Sequence, residues 1–294
     1  MRRSAWVVPL LVIAACGPRP DEAPGQTAGT ASAHGVVESF DGVPVAYSSY
    51  GTGEGTLVFV HGLSCDRGYW DAQTEAFDDV YHVVTVDLGG HGESGDDRAE
   101  WTIRSLARDV EAVIERLDLG PVVIVGHALG GWVALDVARS IPERVVGVIV
   151  VEALQSVSAD RPADPIGQPA RWQEDFGGYC RELAGTMFHD GADPALRERI
   201  TADLCGAPPD IATALVRAIT DHDAAAALAA TPVPVRALNG DLSPTDVEGN
   251  RRHHPDFDAT VIEGTGHFPM LERPADFNRM LERIIEELTA GATT

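Results

Sequence analysis

A glycine-framed turn near the middle of the chain has the spacing of a site for nucleophilic catalysis. Gly126-His127-Ala128-Leu129-Gly130 follows a short apolar run and opens a helical pattern, which is the context of a nucleophile elbow, Gly-x-Ser-x-Gly. The glycines are needed because the turn is too tight for a Cβ at either flank, and the central side chain projects at a helix N-terminus. Here the central residue is Ala128, so the nucleophile position has no hydroxyl.

Three further motifs with chemistry-bearing side chains follow other apolar runs. They are His61-Gly62-Leu63, the glycine-rich turn at residues 87–94, and Gly264-Thr265-Gly266-His267. The last motif puts a histidine in a glycine-rich loop before the final helical pattern. A lone histidine is more often a core or surface residue than a catalyst, so the inference depends on the ordered set of motifs.

The elements that must position these motifs alternate between strands and helices. Short continuous apolar runs are typical of strands buried on both faces. Predicted strands cover residues 56–60, 80–86, 122–125, 145–151 and 235–238, and predicted helices cover residues 103–117 (after Thr102), 129–139 and 275–288. This alternation predicts an α/β fold with a mostly parallel sheet, helices on both faces, and sites at the carboxyl ends of the strands.

Two segments depart from the alternation. Residues 36–40 and 43–48 flank Asp41-Gly42, which predicts a β-hairpin because this pair supplies the positive φ of a tight turn. Residues from about 156 to 230 are helical in pattern and fall between two core strands. We therefore expect a helical lid over the edge of the sheet.

The first residues have the pattern of an export signal. Met1-Arg2-Arg3-Ser4 precedes an apolar run that ends in Ile13-Ala14-Ala15-Cys16, and this ending resembles a bacterial lipobox. We expect a lipoprotein-type signal peptide over residues 1–15 and lipidation of Cys16, which would anchor the exported protein to a bacterial membrane. The alternative is an ordinary secretory signal and a secreted or periplasmic protein.

A change in composition separates this signal from the folded body. Residues 16–34 are rich in Pro, Gly, Ala and Thr without apolar periodicity, which predicts a flexible linker. The folded domain is therefore expected over residues 35–294. Since disulfides persist outside the cytoplasm, we expect Cys180 and Cys205, in one helical stretch, to pair and leave Cys65 free.

The composition excludes one class of partner. The chain of 294 residues has 45 acidic and 22 basic residues, and its formal net charge is −23. A field this negative repels phosphate backbones, so no nucleic-acid partner is expected. His253, His254 and Asp256 fall on a predicted helix, where neighbouring positions face different ways, so we expect no metal site there. The sequence carries no information on oligomeric state.

The ordered motifs resemble those of α/β-hydrolase-fold proteins, from about Val36 to the C-terminus. The resemblance implies an α/β-hydrolase fold with a helical lid and no cofactor or metal. It also implies that His267 is the general base and that the backbone N–H groups of Leu63 and Leu129 form the oxyanion hole. The partner would be a small-molecule acyl substrate, such as a carboxylic ester.

Two carboxylates compete for the role of the acid that orients His267. The usual position in the family, after the strand preceding the last one, points to Asp241, which we favour. Some members, haloalkane dehalogenases among them, take the acid from the end of the preceding core strand, where this chain has Glu152. Only one of the two can be the principal partner, because His267 has only one nitrogen free to face an acid.

The alanine at the elbow leaves three accounts open. Without a hydroxyl at position 128, an acyl-enzyme cannot form there, and ester hydrolysis should be strongly impaired. The chain is then an engineered variant made to trap a substrate, a natural relative that binds a ligand without catalysis, or a hydrolase in which His267 activates water directly. Ser64 or Cys65 as a relocated nucleophile is disfavoured, because neither lies on the elbow.

Overall fold

The computed structural model describes residues 33–157 and 168–291. Within these ranges, the strands form a single eight-stranded sheet in the order β1-β2-β4-β3-β5-β6-β7-β8. The strands are β1 (Ala33–Glu38), β2 (Pro44–Tyr50), β3 (Gly55–Val60), β4 (Tyr81–Val86), β5 (Val122–His127), β6 (Val145–Val151), β7 (Val235–Gly240) and β8 (Asp258–Ile262).

The predicted mostly parallel sheet is confirmed. Strands β3 to β8 pair in parallel, whereas β1 and β2 are antiparallel to their neighbours. Side chains alternate between the two faces along each strand. Val58 and Val60 of β3 belong to one hydrophobic core, and Leu57 and Phe59 belong to the other. The apolar runs of the central strands follow from burial on both faces.

Helices cover both faces of this sheet. Buried side chains of α2 and α3 pack in one core, and those of α1 and α11 pack in the other. Helix α2 begins after Thr102 as predicted, and Thr102 and Ser105 exchange side-chain-to-backbone hydrogen bonds of 3.0 and 2.9 Å there. The helices are α1 (Asp71–Phe77), α2 (Ile103–Arg116), α3 (Leu129–Ser140), α4 (Pro169–Glu174), α5 (Phe176–Gly185), α6 (Pro194–Gly206), α7 (Pro209–Thr220), α8 (Ala224–Ala230), α9 (Val247–Arg251), α10 (Pro269–Glu272) and α11 (Pro274–Gly291).

The helices α4 to α8 form an insertion between β6 and β7, which we call the cap. Its position agrees with the predicted helical lid. A disulfide between Cys180 of α5 and Cys205 of α6 links two cap helices, with their Cα atoms 5.6 Å apart. Cys65 is free and buried. Both parts of the cysteine prediction are therefore confirmed.

Several local predictions differ from the structure. The predicted hairpin and the positive φ of Gly42 (86°) are confirmed, but β1 ends at Glu38 and β2 begins at Pro44, so the connection covers residues 39–43. Strand β1 begins at Ala33, inside the last residues of the predicted linker. The helix predicted around His253 ends earlier, at Arg251. Strand β8 was not among the predicted strands, because its residues are mostly half-exposed and polar or small.

The predicted signal peptide at residues 1–15, Cys16 and most of the predicted linker lie outside the described residues. In the part of the chain that the structure describes, no helix combines the length and the apolar character needed to cross a membrane.

Candidate active site

The elbow between β5 and α3 has the strained geometry that the glycines predict. Ala128 has φ 47° and ψ −113°, a region that costs an L-residue about 1–3 kcal/mol. A Cβ on Gly126 would lie 2.2 Å from the carbonyl oxygen of Gly130, and one on Gly130 would lie 2.4 Å from that of Val60. The turn therefore keeps the form that presents a nucleophile, although its central side chain is a methyl group.

Ala128 and His267 line the same cavity, which has a volume of about 490 Å³. His267 lies on the loop between β8 and α10, and backbone contacts hold this loop on both sides. Its N–H donates to the carbonyl of Met187 in the cap, and its own carbonyl accepts a hydrogen bond from Nε2 of His127 (both 2.8 Å). The structure thus brings the predicted base and the predicted nucleophile position together.

The carboxylate that faces His267 is that of Glu152. Its Oε2 atom is 3.3 Å from Nδ1 of His267 and accepts a hydrogen bond of 2.8 Å from the Gln155 amide. The other oxygen, Oε1, accepts a 2.6 Å hydrogen bond from the backbone N–H of Gly240. Glu152 is buried, with 7% of its surface exposed. These bonds supply the partners that a buried carboxylate needs.

The placement of Asp241, the acid favoured from the sequence, corrects that preference. Its Oδ1 lies 2.8 Å from Nε2 of His189, a cap residue. The pair is more than a third exposed. The backbone N–H of Gly264 and the His189 side chain hold the pKa of Asp241 below its ordinary value. The reason for the difference is local, because Glu152 already occupies the space between the ends of β6 and β7 and bonds Gly240 there.

The two predicted oxyanion donors also border the cavity. Leu63 follows β3, Leu129 is the first residue of α3, and both line the same cavity as Ala128. Among the described residues, neither backbone N–H donates to another protein group. The N–H of Leu129 is one of the donors that a helix N-terminus leaves unpaired. Both groups are therefore available to bind a developing negative charge on a substrate oxygen.

His127 acts as a buried support for the His267 loop. Only 1% of its surface is exposed. Burial, and next the neighbouring His267, hold the pKa of the His127 imidazole well below its ordinary range. The ring is therefore neutral at pH 7, with its proton on Nε2, which donates to the carbonyl of His267.

His61 supports the loop after β3 that carries Leu63, one of the two predicted oxyanion donors. Its Nδ1–H donates to the carbonyl of Gly62 over 2.8 Å, and its Nε2 accepts the backbone N–H of Leu88 over 3.0 Å. Complete burial lowers the pKa of His61 to about 4. Burial and the adjacent His61 lower the pKa of His91 to about 3. Neutral imidazoles thus fix the turn that carries the Leu63 N–H.

The wall of the cavity is mostly apolar and comes from both the core and the cap. Glu152 is the one acidic lining residue in the described part of the chain, and no described lining residue is an arginine. Because Glu152 is already paired, the lining residues that the structure describes offer no free counter-charge to a charged ligand. Its apolar wall is formed by Leu63, Leu129, Trp132, Ala153, Trp172, Leu183, Ala184, Met187, Leu204, Ile219, Leu242 and Phe268.

Sequence reasoning missed two kinds of site residue. Gln155, which bonds Glu152, lies three residues after it, and this short separation was the available signal. The cap residues Met187 and His189, which contact His267 and Asp241, gave no signal, because cap docking leaves no periodic pattern. Within the described ranges, no group of three His, Cys, Asp or Glu residues is arranged to hold a metal ion.

Comparisons with known proteins identify the family of this chain. A profile described as Alpha/beta hydrolase family matches residues 57–280. The chain is 34% identical over 145 residues to a non-heme chloroperoxidase of Streptomyces lividans, covering 48% of this chain and 52% of the relative. It is 23% identical over 252 residues to 3-oxoadipate enol-lactonase 2 of Acinetobacter baylyi, covering 83% of this chain and 94% of the relative.

A solved structure extends the likeness to the whole domain. A thermophilic esterase from Thermogutta terrifontis, solved with malate bound, aligns with a TM-score of 0.75 at 25% identity, covering 87% of this chain and 99% of that one. In contrast, the chain spans only 35% to 52% of the length of several other curated relatives that it matches. Their matches therefore bear on a segment and not on a whole protein.

Proposed function

Since this chain belongs to the alpha/beta hydrolase family, we propose that it hydrolyses small uncharged esters or lactones, with water in place of a serine as the nucleophile. The observation that carries the proposal is the contact of His267 with the buried carboxylate of Glu152, at the cavity that Ala128 also lines. A histidine backed by a carboxylate is the arrangement that general-base catalysis requires.

The proposed step uses the free nitrogen of His267. With Nδ1–H directed at Glu152, the lone pair of Nε2 takes a proton from water while the water oxygen attacks the acyl carbon. The carbonyl oxygen becomes negative and is bound by the N–H groups of Leu63 and Leu129. The bond from the acyl carbon to the alcohol oxygen then breaks, and the imidazolium returns the proton to that oxygen. The products are a carboxylic acid and an alcohol.

The cavity supports an uncharged, largely apolar substrate. The described lining has no arginine, and the protein carries a formal net charge of −23. An anionic substrate would be repelled by this field and would find no counter-charge. Two of the relatives are by name a lactonase and an esterase, and both names denote cleavage of an acyl–oxygen bond.

A second candidate function is ligand binding without turnover, and Ala128 is the observation that favours it. Loss of the nucleophile costs a comparable triad enzyme roughly 10⁶ in turnover, although the remaining site keeps roughly 10³–10⁴ over water. The two candidates therefore differ in whether the native chain retains this residual rate.

The test is hydrolysis of p-nitrophenyl butyrate and hexanoate by the full chain. We expect the native chain to show a slow rate without a burst, and His267→Ala to lose it. His253→Ala, which changes a histidine outside the cavity, is the matched control and should keep the native rate. Ala128→Ser should raise turnover by orders of magnitude and produce a burst of p-nitrophenol. Tight binding of the ester by the native chain, with no turnover above that of His267→Ala, would contradict the proposal and favour ligand binding, whether or not Ala128→Ser is active.

A further inference from the structure

One short cap segment, residues 186–189, packs directly on the loop that carries His267. The N–H of His267 donates to the carbonyl of Met187 over 2.8 Å. A Cβ on Gly266 would lie 2.2 Å from the same carbonyl oxygen, so only glycine allows this approach. The ring of Phe188 stacks on that of Phe268 with their centroids 5.6 Å apart. The segment and the His267 loop are therefore in contact without a gap.

The same segment forms part of the cavity wall. Thr186 and Met187 line the cavity, while Phe188 is buried with 6% of its surface exposed. Movement of this segment would change the opening of the cavity and remove the acceptor of the His267 N–H at the same time. Its attachment to the core therefore matters both for ligand passage and for the position of His267.

A polar pair attaches the outer end of the segment to the core. Nε2 of His189 lies 2.8 Å from Oδ1 of Asp241. Asp241 directly follows β7 and is fixed there, because its N–H donates to the carbonyl of Thr265. His189 lies between α5 and α6, so the bond joins the cap to the core. The core end of this bond is rigid, and the cap end lies on a connecting loop.

We propose that His189 and Asp241 form a latch that holds cap segment 186–189 against the His267 loop and controls ligand entry and release. Both are positioning residues, and neither touches the reacting atoms. The carboxylate at the usual acid position of the fold thus serves the cap, because Glu152 already supplies the acid that faces His267. The latch concerns ligand passage, so its test does not depend on hydrolysis.

The pair is suited to opening. His189 and Asp241 are 38% and 36% exposed, so water competes for their bond and the pair adds little to global stability. Loops and lids that move are drawn from regions of low local stability. When this weak bond breaks, the outer end of the segment can shift while Phe188 stays packed on Phe268 and the core stays folded.

The experiment measures ligand exchange with a probe that cannot be hydrolysed. The probe is 4-nitrophenyl hexyl ether, whose nitroaromatic ring quenches tryptophan, and Trp132 and Trp172 line the cavity. Stopped-flow fluorescence of the full chain gives the association and dissociation rates. We expect His189→Ala and Asp241→Ala each to raise both rates about threefold, the size expected for a half-exposed ion pair. The double variant should show no further increase.

Two controls separate the latch from general loosening of the cap. Glu182→Ala breaks the Arg171–Glu182 pair, which is similarly exposed (44% and 60%) but lies within the cap, and it should leave both rates unchanged. Asp241→Asn keeps an acceptor for a neutral His189 and should recover part of the native rate. Native exchange rates in both alanine variants, or independent additive effects, would overturn the proposal whatever the outcome of the hydrolysis assay.

Discussion

Two histidine–carboxylate pairs lie near the same edge of the sheet, and their environments assign them different roles. His267 and Glu152 line the cavity and lie 3.3 Å apart, and we call them the floor pair. His189 and Asp241 lie 2.8 Å apart outside the lining, close in sequence to the lining residues Met187 and Leu242, and we call them the rim pair. The shorter contact belongs to the more exposed pair, since the side chain of Glu152 is 6% exposed and that of Asp241 is 36% exposed. Distance alone therefore does not identify the acid of an active site.

Burial and further partners explain the difference. Glu152 is bonded by Gly240 and Gln155 as well as facing His267, so its carboxylate is held in one orientation in a site of low dielectric constant, where electrostatic interactions are strong. The bond between His189 and Asp241 is exposed to water, so it contributes little to stability. We infer that the floor pair suits proton transfer and the rim pair suits a contact that opens and closes.

The largest expected effect tests which carboxylate is the acid. In an Ala128→Ser background, Glu152→Gln should lower kcat by about 10³- to 10⁴-fold, because an amide holds the wrong tautomer of the histidine. Asp241→Asn in the same background should change kcat by less than about tenfold. The measurement is steady-state hydrolysis of p-nitrophenyl butyrate by both double variants. The reverse ranking would move the acid role to Asp241.

The strands and the elbow that form the base of the cavity could be predicted from the sequence, because each is determined by residues within its own short segment. Apolar runs define strands β3, β5 and β6, and the glycines around Ala128 define the elbow. Thr102 marks the start of α2 by its capping bonds. The position of His267 beside Ala128 was implied by the resemblance to the family, because β8 was not predicted and is separated from β5 by two strands in the sheet.

The choice of acid and the cap could not be predicted, because both depend on packing between distant segments. Asp241 and Glu152 each follow a strand, and only the contacts of Gln155 and His189 distinguish them. The hairpin around Asp41-Gly42 is confirmed, but its strands end at Glu38 and begin at Pro44, because the last bonds of the hairpin join Ser39 to Val43 within the connection. Such bonds leave no periodic signal in the sequence.

A second prediction tests how much the Cys180–Cys205 disulfide of the cap contributes to the free energy of unfolding. Cys180 and Cys205 join α5 and α6 on either side of the segment that carries His189, across a separation of 25 residues. Cys180→Ser with Cys205→Ser should lower the free energy of unfolding by roughly 3 kcal/mol, as for loops of this length. Urea denaturation measures the change. Reductant should destabilise the native protein by a similar amount and leave the double variant unaffected; equal stability of native and variant proteins would contradict the prediction.

A third prediction concerns the loss of folding stability at acidic pH, where buried His61 opposes protonation. The pKa of His61 is lowered by burial from 6.5 to about 4. Between these values the unfolded chain binds the proton and the folded chain does not, so stability is complete above pH 6.5 and falls as the pH drops towards 4. One such group contributes a slope of up to about 1.4 kcal/mol per pH unit.

Urea denaturation at pH 7.0, 6.0, 5.0 and 4.5 measures this slope for the native chain and for His61→Asn. Asn keeps a donor for the carbonyl of Gly62 and does not titrate in this range, so the variant should lose less stability than the native chain between pH 6.5 and 4. His253→Ala is the control, and it should keep the native slope. Parallel slopes for native and His61→Asn proteins would show that His61 does not contribute.

The smallest expected effect concerns the residue that holds the floor pair in orientation. The amide of Gln155 donates to Oε2 of Glu152, the same oxygen that faces His267. Gln155→Leu removes one hydrogen bond, worth about 1 kcal/mol, so kcat in the Ala128→Ser background should fall by less than about tenfold. Steady-state hydrolysis of p-nitrophenyl butyrate measures kcat.

A control variant separates orientation of the acid from loss of stability. Gln73→Leu removes a comparable buried amide that bonds Asn278 over 2.8 Å, away from the cavity. It should lower the free energy of unfolding and leave kcat unchanged. If Gln155→Leu and Gln73→Leu lower kcat equally, Gln155 only packs against the site. If only Gln155→Leu lowers kcat, the fixed orientation of Glu152 is what distinguishes the floor pair from the rim pair.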